Sequence, residues 1–91
     1  MYIAKIIGTV VSTRKDNNLV GKKILIVQPL DVDNMAKGDV EVAVDSVGAG
    51  VGEIVLVSTG SSANKVFGGV DSPIDRTIVG IIDSVEASNN I

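Results

Sequence analysis

Three carboxylates that fall on one side of a predicted strand, Asp39, Glu41 and Asp45, are the side chains of this sequence best spaced for acid–base chemistry. Residues separated by even numbers share one face of a strand, so these groups could act as the paired carboxylates of a hydrolase. A charged strand face is more often a solvated surface, and a small single domain rarely holds a deep cleft. The pattern therefore predicts a half-buried strand with a wet acidic face, and the valines between the carboxylates are expected to face the core.

Three glycines at alternate positions, Gly48, Gly50 and Gly52, resemble part of a phosphate-binding loop. A dinucleotide-binding fingerprint needs a helix after its glycines. Here the glycines are followed by Glu53-Ile54-Val55-Leu56-Val57, a run that predicts a strand. Because glycine tolerates positive φ, we expect a tight structural loop at this point and no cofactor site.

An acidic turn begins at Asp31 and resembles the start of a calcium-binding loop. Asp33 and Asn34 fit that pattern, but the sixth position is Ala36 and the twelfth is Val42. A calcium loop needs a glycine and a bidentate glutamate at those two positions. The sequence therefore predicts a solvated turn without a metal ion.

Histidine and cysteine are both absent from the 91 residues. The usual zinc ligands and the commonest general base are therefore missing. Ser61 and Ser62 cannot belong to a Ser-His-acid triad in this chain. Any catalysis would rest on carboxylates, lysines or hydroxyls, so we expect a protein that is not an enzyme and carries no cofactor.

The charge balance and the scarcity of aromatic residues argue against a nucleic-acid partner. The formal net charge is -3, and Tyr2 and Phe67 are the only aromatic residues. Neither a phosphate-neutralising patch nor a base-stacking platform is apparent. The longest apolar run is far shorter than the roughly 18 residues that a spanning helix needs, so no membrane partner is expected either.

The apolar content is higher than a chain of this size needs for its own core. Apolar residues make up 45% of the sequence, and the mean hydropathy is +0.40. A length of 91 residues predicts one domain spanning 1–91, and most of such a domain is surface. The run Ile24–Val27 is apolar without a break, so both faces of that strand carry apolar side chains. We expect one of those faces to pack against another subunit.

Runs of β-branched residues separated by turn residues predict short strands. The five predicted strands are Tyr2–Thr13, Lys22–Gln28, Asp39–Asp45, Glu53–Ser58 and Thr77–Val85. The segment Gly60–Phe67 is expected to form one short helical turn that a serine caps. The predicted fold class is all-β, a small five-stranded OB-like β-barrel with one short helical turn.

Several ordered segments carry a resemblance to a known family. They are Ile3–Thr13, Leu19–Val27, Ala43–Glu53, Gly60–Ala63, Pro73–Asp75 and Val79–Asp83. The block with the three glycines is the most specific of them. Together they resemble the CcmL/EutN family of pentameric shell proteins, found in carboxysomes and catabolic microcompartments. Relatives often carry an arginine where this chain has Asn64, and many have a longer connection around residues 30–39.

The resemblance implies a structural protein rather than an enzyme. It implies a homopentamer that caps the vertices of a bacterial microcompartment shell in the cytoplasm and contacts the hexameric shell proteins. The middle segments resemble those of catabolic compartments, of the propanediol, ethanolamine or glycyl-radical type, more than those of carboxysomes. The alternative function is a free-standing OB-like module for a ligand or a nucleic acid, which the acidic charge and the few aromatic residues disfavour.

Two segments are predicted to serve this assembly. Gly48, Ala49 and Gly50 are expected near the ring axis or the subunit junction, because glycines allow several backbones to approach one another. Arg14 and Lys15 are expected at the outer edge of the pentamer, where cations would steer docking onto the hexameric proteins. A solvated loop is the alternative for these two residues.

Overall fold

The strands of the protein follow from alternating β-branched sequence and form one barrel. The structure, a computed structural model, describes residues 1–13, 17–60, 66 and 74–87. Its strands are β1 (Tyr2–Thr9), β2 (Ile24–Pro29), β3 (Glu41–Asp45), β4 (Ile54–Thr59) and β5 (Arg76–Ile81). A single 3₁₀ turn, Asn17–Leu19, precedes β2 within the described residues.

The sheet closes on itself in the order β1-β2-β3-β5-β4. Four of the five contacts between neighbouring strands are antiparallel, and β3 and β5 run parallel. This closed five-stranded barrel confirms the predicted fold class. The helical turn expected at Gly60–Phe67 falls on positions that lie almost wholly outside the described residues.

The core is built from the inward-facing residues of the strands. Its fully buried members include Ala4 and Ile6 of β1, and Leu25 and Val27 of β2. From the other side of the barrel come Ala43, Val55, Val57 and Ile78, and Ala49 joins them from the loop after β3. Small and β-branched side chains dominate because the interior of a five-stranded barrel is narrow.

The first strand is shorter than predicted. Its last ladder bond joins the Val10 amide to the Ile24 carbonyl at 2.9 Å, and Val11 beyond it is exposed. The register with β2 shifts between Ile6 and Gly8, as the central glycine suggested. A Cβ at Gly8 would lie 3.3 Å from Cδ1 of Ile26, so this position accommodates the close approach of β2.

The predicted facing of β3 is wrong. Val40 and Val42 are 49% and 51% exposed, whereas Ala43 is fully buried. The pairing of Ala43 with Leu25 places the alanine side of the strand inward, together with the carboxylates that share its face. The carboxylates of Glu41 and Asp45 can lie on the inward side because hydrogen-bond donors of the same chain reach both of them. The exposed residues of this segment are therefore Val40 and Val42, whereas Val44 on the same side is 6% exposed.

The prediction that β2 is apolar on both sides is confirmed. Leu25 and Val27 are fully buried in the barrel, whereas Ile24 and Ile26 are half-buried on its outside. Within the described residues, no helix is long and apolar enough to cross a membrane.

Candidate functional site and its assembly surfaces

Asp45, the last residue of β3, holds the loop that follows it. Its Oδ1 accepts a hydrogen bond from the Val47 amide at 3.2 Å. Its Oδ2 accepts from the amides of Gly48 and Ala49 at 2.9 and 3.0 Å. The Asp45 side chain is 5% exposed, and Nζ of Lys23 lies 3.8 Å from Oδ2. Three N–H donors and a nearby cation compensate the buried charge, so Asp45 is a structural cap.

The glycine loop, residues 46–52, is also tied to its own barrel by other groups. The Lys23 ammonium donates to the Ala49 carbonyl. The Gly50 amide donates to Oε1 of Glu53 at 2.6 Å. The Ala49 side chain is fully buried in the core. The loop therefore has one conformation that is set within a single subunit.

Two of the three glycines in this loop are required by its own turns. Gly48 and Gly52 have φ of 80° and 94°, a region that residues with a Cβ rarely adopt. Gly50 has no positive φ, and a Cβ there would lie 3.5 Å from Oε1 of Glu53, an ordinary contact. The backbone conformation and the contacts of the described residues therefore do not require glycine at position 50.

The structure places the predicted junction residues on one loop at the end of β3. Gly48 is exposed and Gly50 is half-buried, whereas Ala49 points into the barrel. Their position relative to a ring axis stays a prediction. Arg14 and Lys15, predicted to dock onto hexameric shell proteins, lie outside the described residues, as does Asn64.

Glu41, at the other end of β3, joins three strands. Its Oε2 accepts from Nε of Arg76 on β5 at 2.9 Å and from the hydroxyl of Tyr2 on β1. Its Oε1 lies 3.5 Å from the second guanidinium nitrogen of Arg76. Arg76 also reaches Oδ2 of Asp75 at 3.2 Å. This network spans the side of the barrel where β3 and β5 share only two pairs of partner residues.

The network shifts the pKa of Tyr2 and of Arg76. Burial raises the pKa of the Tyr2 phenol well above its usual value, and its hydrogen bond to the Glu41 carboxylate raises it further. The hydrogen bond to Glu41 likewise raises the pKa of the Arg76 guanidinium. The tyrosine therefore stays protonated wherever the barrel is folded under physiological conditions.

The acidic residues singled out by the sequence have structural roles. Glu41 and Asp45 are engaged by the contacts above, and Asp39 lies exposed before β3. Asp31 Oδ1 accepts from the amides of Asp33 and Met35 at 2.8 and 3.1 Å, which forms a tight turn. Among the described residues, no group of three or more acidic, histidine or cysteine side chains is placed to hold a metal ion.

Two hollows with apolar linings lie on the outside of the barrel. The first, of about 380 Å³, lies mainly over the seam between β3 and the start of β5, with Leu19 and with Ile24 of β2 at its side. The second, of about 500 Å³, lies between the start of β1, Leu56 of β4 and the loop after β2. Sequence reasoning missed the first, because it placed the valines of β3 in the core.

The comparison with known families decides the family of the chain. The family model described as ethanolamine utilisation protein EutN/carboxysome matches residues 1–83. The chain belongs to the EutN/CcmL family. The match covers all five strands, both ends of β3 and the glycine loop.

Individual members of the EutN/CcmL family are similar over nearly the whole chain. The bacterial microcompartment shell vertex protein GrpN of Rhodospirillum rubrum is 52% identical over 89 residues, which are 98% of this chain and 100% of GrpN. The carboxysome shell vertex protein CcmL of Synechocystis is 51% identical over 98% of this chain and 89% of its own length. The solved structure of the GrpN pentameric microcompartment shell protein from Rhodospirillum rubrum superposes with a TM-score of 0.89 at 50% identity, over 97% of this chain and 100% of that one.

Replacing Asp45 by alanine is expected to lower the free energy of unfolding by about 1–3 kcal/mol, because three backbone N–H groups lose their acceptor. Urea denaturation of the purified chain at neutral pH measures the loss. Asp83→Ala, at an exposed position after β5, is the matched control and should change stability by less than about 0.5 kcal/mol. Equal stabilities of the two variants would contradict the capping role of Asp45.

The phenol of Tyr2 is expected to ionise at higher pH in the folded chain than in the unfolded chain. Its ordinary pKa of 10.0 applies to the unfolded state, and the folded-state pKa is raised. A raised pKa gives a contribution to stability that is fully present below pH 10.0 and is lost as the pH rises through the folded-state pKa. Because Tyr2 is the only tyrosine, tyrosinate absorbance in buffer and in concentrated urea reports this group alone.

The variant Tyr2→Phe tests the same network through stability. At pH 7 it should lose about 1–2 kcal/mol, since the Glu41 carboxylate loses one donor. The difference from the parent chain should shrink as the pH rises above 10, because the parent then loses its own contribution. A difference that stays constant up to pH 11, together with equal ionisation in the folded and unfolded chain, would contradict the contact.

Proposed function

We infer that this chain is a vertex protein of a bacterial microcompartment shell and that it acts as a homopentamer. The observation that carries the inference is the 52% identity to GrpN over 98% of the chain. GrpN is named a shell vertex protein, and its solved structure is described as pentameric. Function in this family is structural, so the proposed role needs no catalysis.

The surface of the single subunit supports an assembled state. Val40, Val42 and Met35 are large apolar side chains that one barrel leaves exposed, as are Val32 and Met1. Isolated exposed apolar residues are ordinary, but those that line hollows with apolar walls are typical of interaction sites. A closed ring of identical subunits covers such surfaces without exposing a new one.

The function follows from geometry. A flat layer of hexagonally packed subunits cannot close, and five-fold units inserted into it produce the curvature that closes it. The protein occupies these vertices, in the shell of a compartment that lies in the bacterial cytoplasm. Its partners there are the hexameric shell proteins, which it meets through complementary surfaces.

We also propose that the compartment is a catabolic one, of the propanediol, ethanolamine or glycyl-radical type. The support is the 52% identity to GrpN, which is named a bacterial microcompartment protein, whereas the CcmL relatives are named carboxysome proteins. Genes that neighbour this one should then encode catabolic enzymes. Neighbouring genes for carbon fixation would overturn this part of the proposal.

Light scattering at micromolar concentration should give a mass about five times the 9.4 kDa of one chain.

The proposed place of the glycine loop at the subunit junction is tested in the same measurement by Gly50→Val. This change should preserve the barrel, because a Cβ there makes an ordinary contact, but should reduce the pentamer fraction. A monomeric parent chain would overturn the pentamer, and normal rings of Gly50→Val would overturn the junction.

The proposed docking edge is tested by reversing Arg14 and Lys15 to glutamate. The isolated pentamer should stay intact, because these residues are proposed to lie outside the ring interface. Shells that are co-expressed with the variant should be elongated or unclosed, since docking charges set encounter rate and register. Closed shells of normal shape with the variant at every vertex would rule the docking role out.

A further inference from the structure

The backbone N–H groups of the glycine loop are bonded to carboxylates. Three successive amides, those of residues 47–49, donate to the side chain of Asp45 at 3.2, 2.9 and 3.0 Å. The next amide, that of Gly50, donates to Oε1 of Glu53 at 2.6 Å. Four consecutive N–H groups therefore point at negative charge. Successive backbone N–H groups that converge in this way form an anion-binding concavity.

The Asp45 carboxylate fills this concavity with both of its oxygens. Oδ1 accepts from the Val47 amide, and Oδ2 accepts from the amides of Gly48 and Ala49. The positive φ of Gly48, 80°, allows neighbouring amides to turn toward one point. The Asp45 side chain is 5% exposed, so its charge is solvated almost wholly by groups of the protein.

Lys23 supplies a cation to the same place. Its backbone carbonyl accepts the Asp45 amide at 2.9 Å, which extends the ladder between β2 and β3 by one position. Its ammonium lies 3.8 Å from Oδ2 of Asp45 and donates to the Ala49 carbonyl. The backbone ladder therefore sets the lysine opposite the aspartate, whatever the state of the carboxylate.

The contacts around the carboxylate recognise its charge and its two oxygens. Beyond Cα, an aspartate side chain has the carbon skeleton of an acetate ion. The change Asp45→Gly removes that group and leaves a space of the same shape, lined by N–H donors that have lost their acceptor. The Lys23 side chain beside it is 48% exposed, so the space can be reached from solvent.

We propose that the glycine loop and Lys23 form a carboxylate-binding site, which Asp45 occupies in this chain and which a free acetate ion occupies when that side chain is removed. The site lies within one subunit, so it does not depend on the proposed pentamer. The loop folds around an anion, and the covalent bond to β3 serves only to keep that anion in place. Sulfate, with four oxygens, exceeds the space that the aspartate side chain leaves.

Chemical rescue of Asp45→Gly tests the site. Hydrogen exchange over residues 45–52, followed by mass spectrometry of the full chain, measures whether the N–H groups of the loop are protected. In Asp45→Gly they should exchange about tenfold faster than in the parent chain. Sodium acetate should slow this exchange in a saturable way, by about tenfold at roughly nine times its dissociation constant, because the bound ion stabilises the folded loop.

Asp45→Asn is the matched control for the empty space. The asparagine side chain fills the site, so acetate cannot enter, and it presents an N–H₂ donor where the carboxylate has an acceptor. Its loop should exchange faster than that of the parent chain and should not respond to acetate. Sodium chloride at the same concentration controls for ionic strength and should not protect the loop of Asp45→Gly.

The role of the cation is tested by adding Lys23→Met to Asp45→Gly. Methionine keeps much of the length of the lysine side chain and removes its charge. The acetate concentration for half-maximal protection should rise about tenfold, since a charge-assisted contact to the ion is lost. Lys5→Met, at an exposed position of β1, is the matched control and should leave that concentration unchanged.

Each outcome decides for or against the site. Protection of Asp45→Gly by acetate that weakens with Lys23→Met and is absent in Asp45→Asn supports it. A loop that stays unprotected in molar acetate would overturn it, as would a variant that stays unfolded there. Equal slowing of exchange in the parent chain, Asp45→Gly and Asp45→Asn would mean a general salt effect on stability and would also overturn it. Equal protection by acetate and chloride would overturn the preference for a carboxylate.

Discussion

The barrel closes where β3 lies beside β5, and this parallel contact has only two pairs of partner residues. A seam this short supplies few ladder bonds, so side chains complete it. Glu41 joins Arg76 at one end of β3, and at the other end Ser46 donates its hydroxyl to the Ile78 carbonyl at 2.6 Å. Asp45 then shapes the chain as it leaves the seam. The carboxylate face of β3 must turn inward for these contacts to form, and the valines consequently turn out.

The orientation of β3 connects the core to the surface. Ala43 is a small residue that pairs with Leu25, and both are buried inside the barrel. The strand therefore contributes little volume to the core and carries its valines on the outer side of the barrel, where Val42 is exposed and Val44 is covered. The orientation of β3 thus accounts both for the closure of the barrel and for the exposed apolar residue on its outer surface.

The sequence predicts the number of strands and their places along the chain well, because β-branched runs and turn residues mark them directly. The facing of β3 could not be predicted in the same way. Alternation shows that two sets of side chains point to opposite sides, but it does not show which set has partners. The hydrogen-bond partners of Glu41 are Tyr2 and Arg76, which are remote in sequence and meet Glu41 only when the barrel closes. For Asp45 a local signal was present, since an aspartate before a Gly-containing turn is typical of a side-chain cap.

The glycine loop has a consequence for how such proteins diversify. It exposes the side chains of Val47 and Val51, but the positive φ of Gly48 and Gly52 disfavours any residue that would add a side chain at those two positions. Point substitution therefore has little chemical variety to offer at Gly48 and Gly52. The exposed residues of the strands have ordinary conformations, as do Val47 and Val51 of the loop. Substitutions that preserve the turns are accordingly expected at these exposed side chains rather than at Gly48 and Gly52.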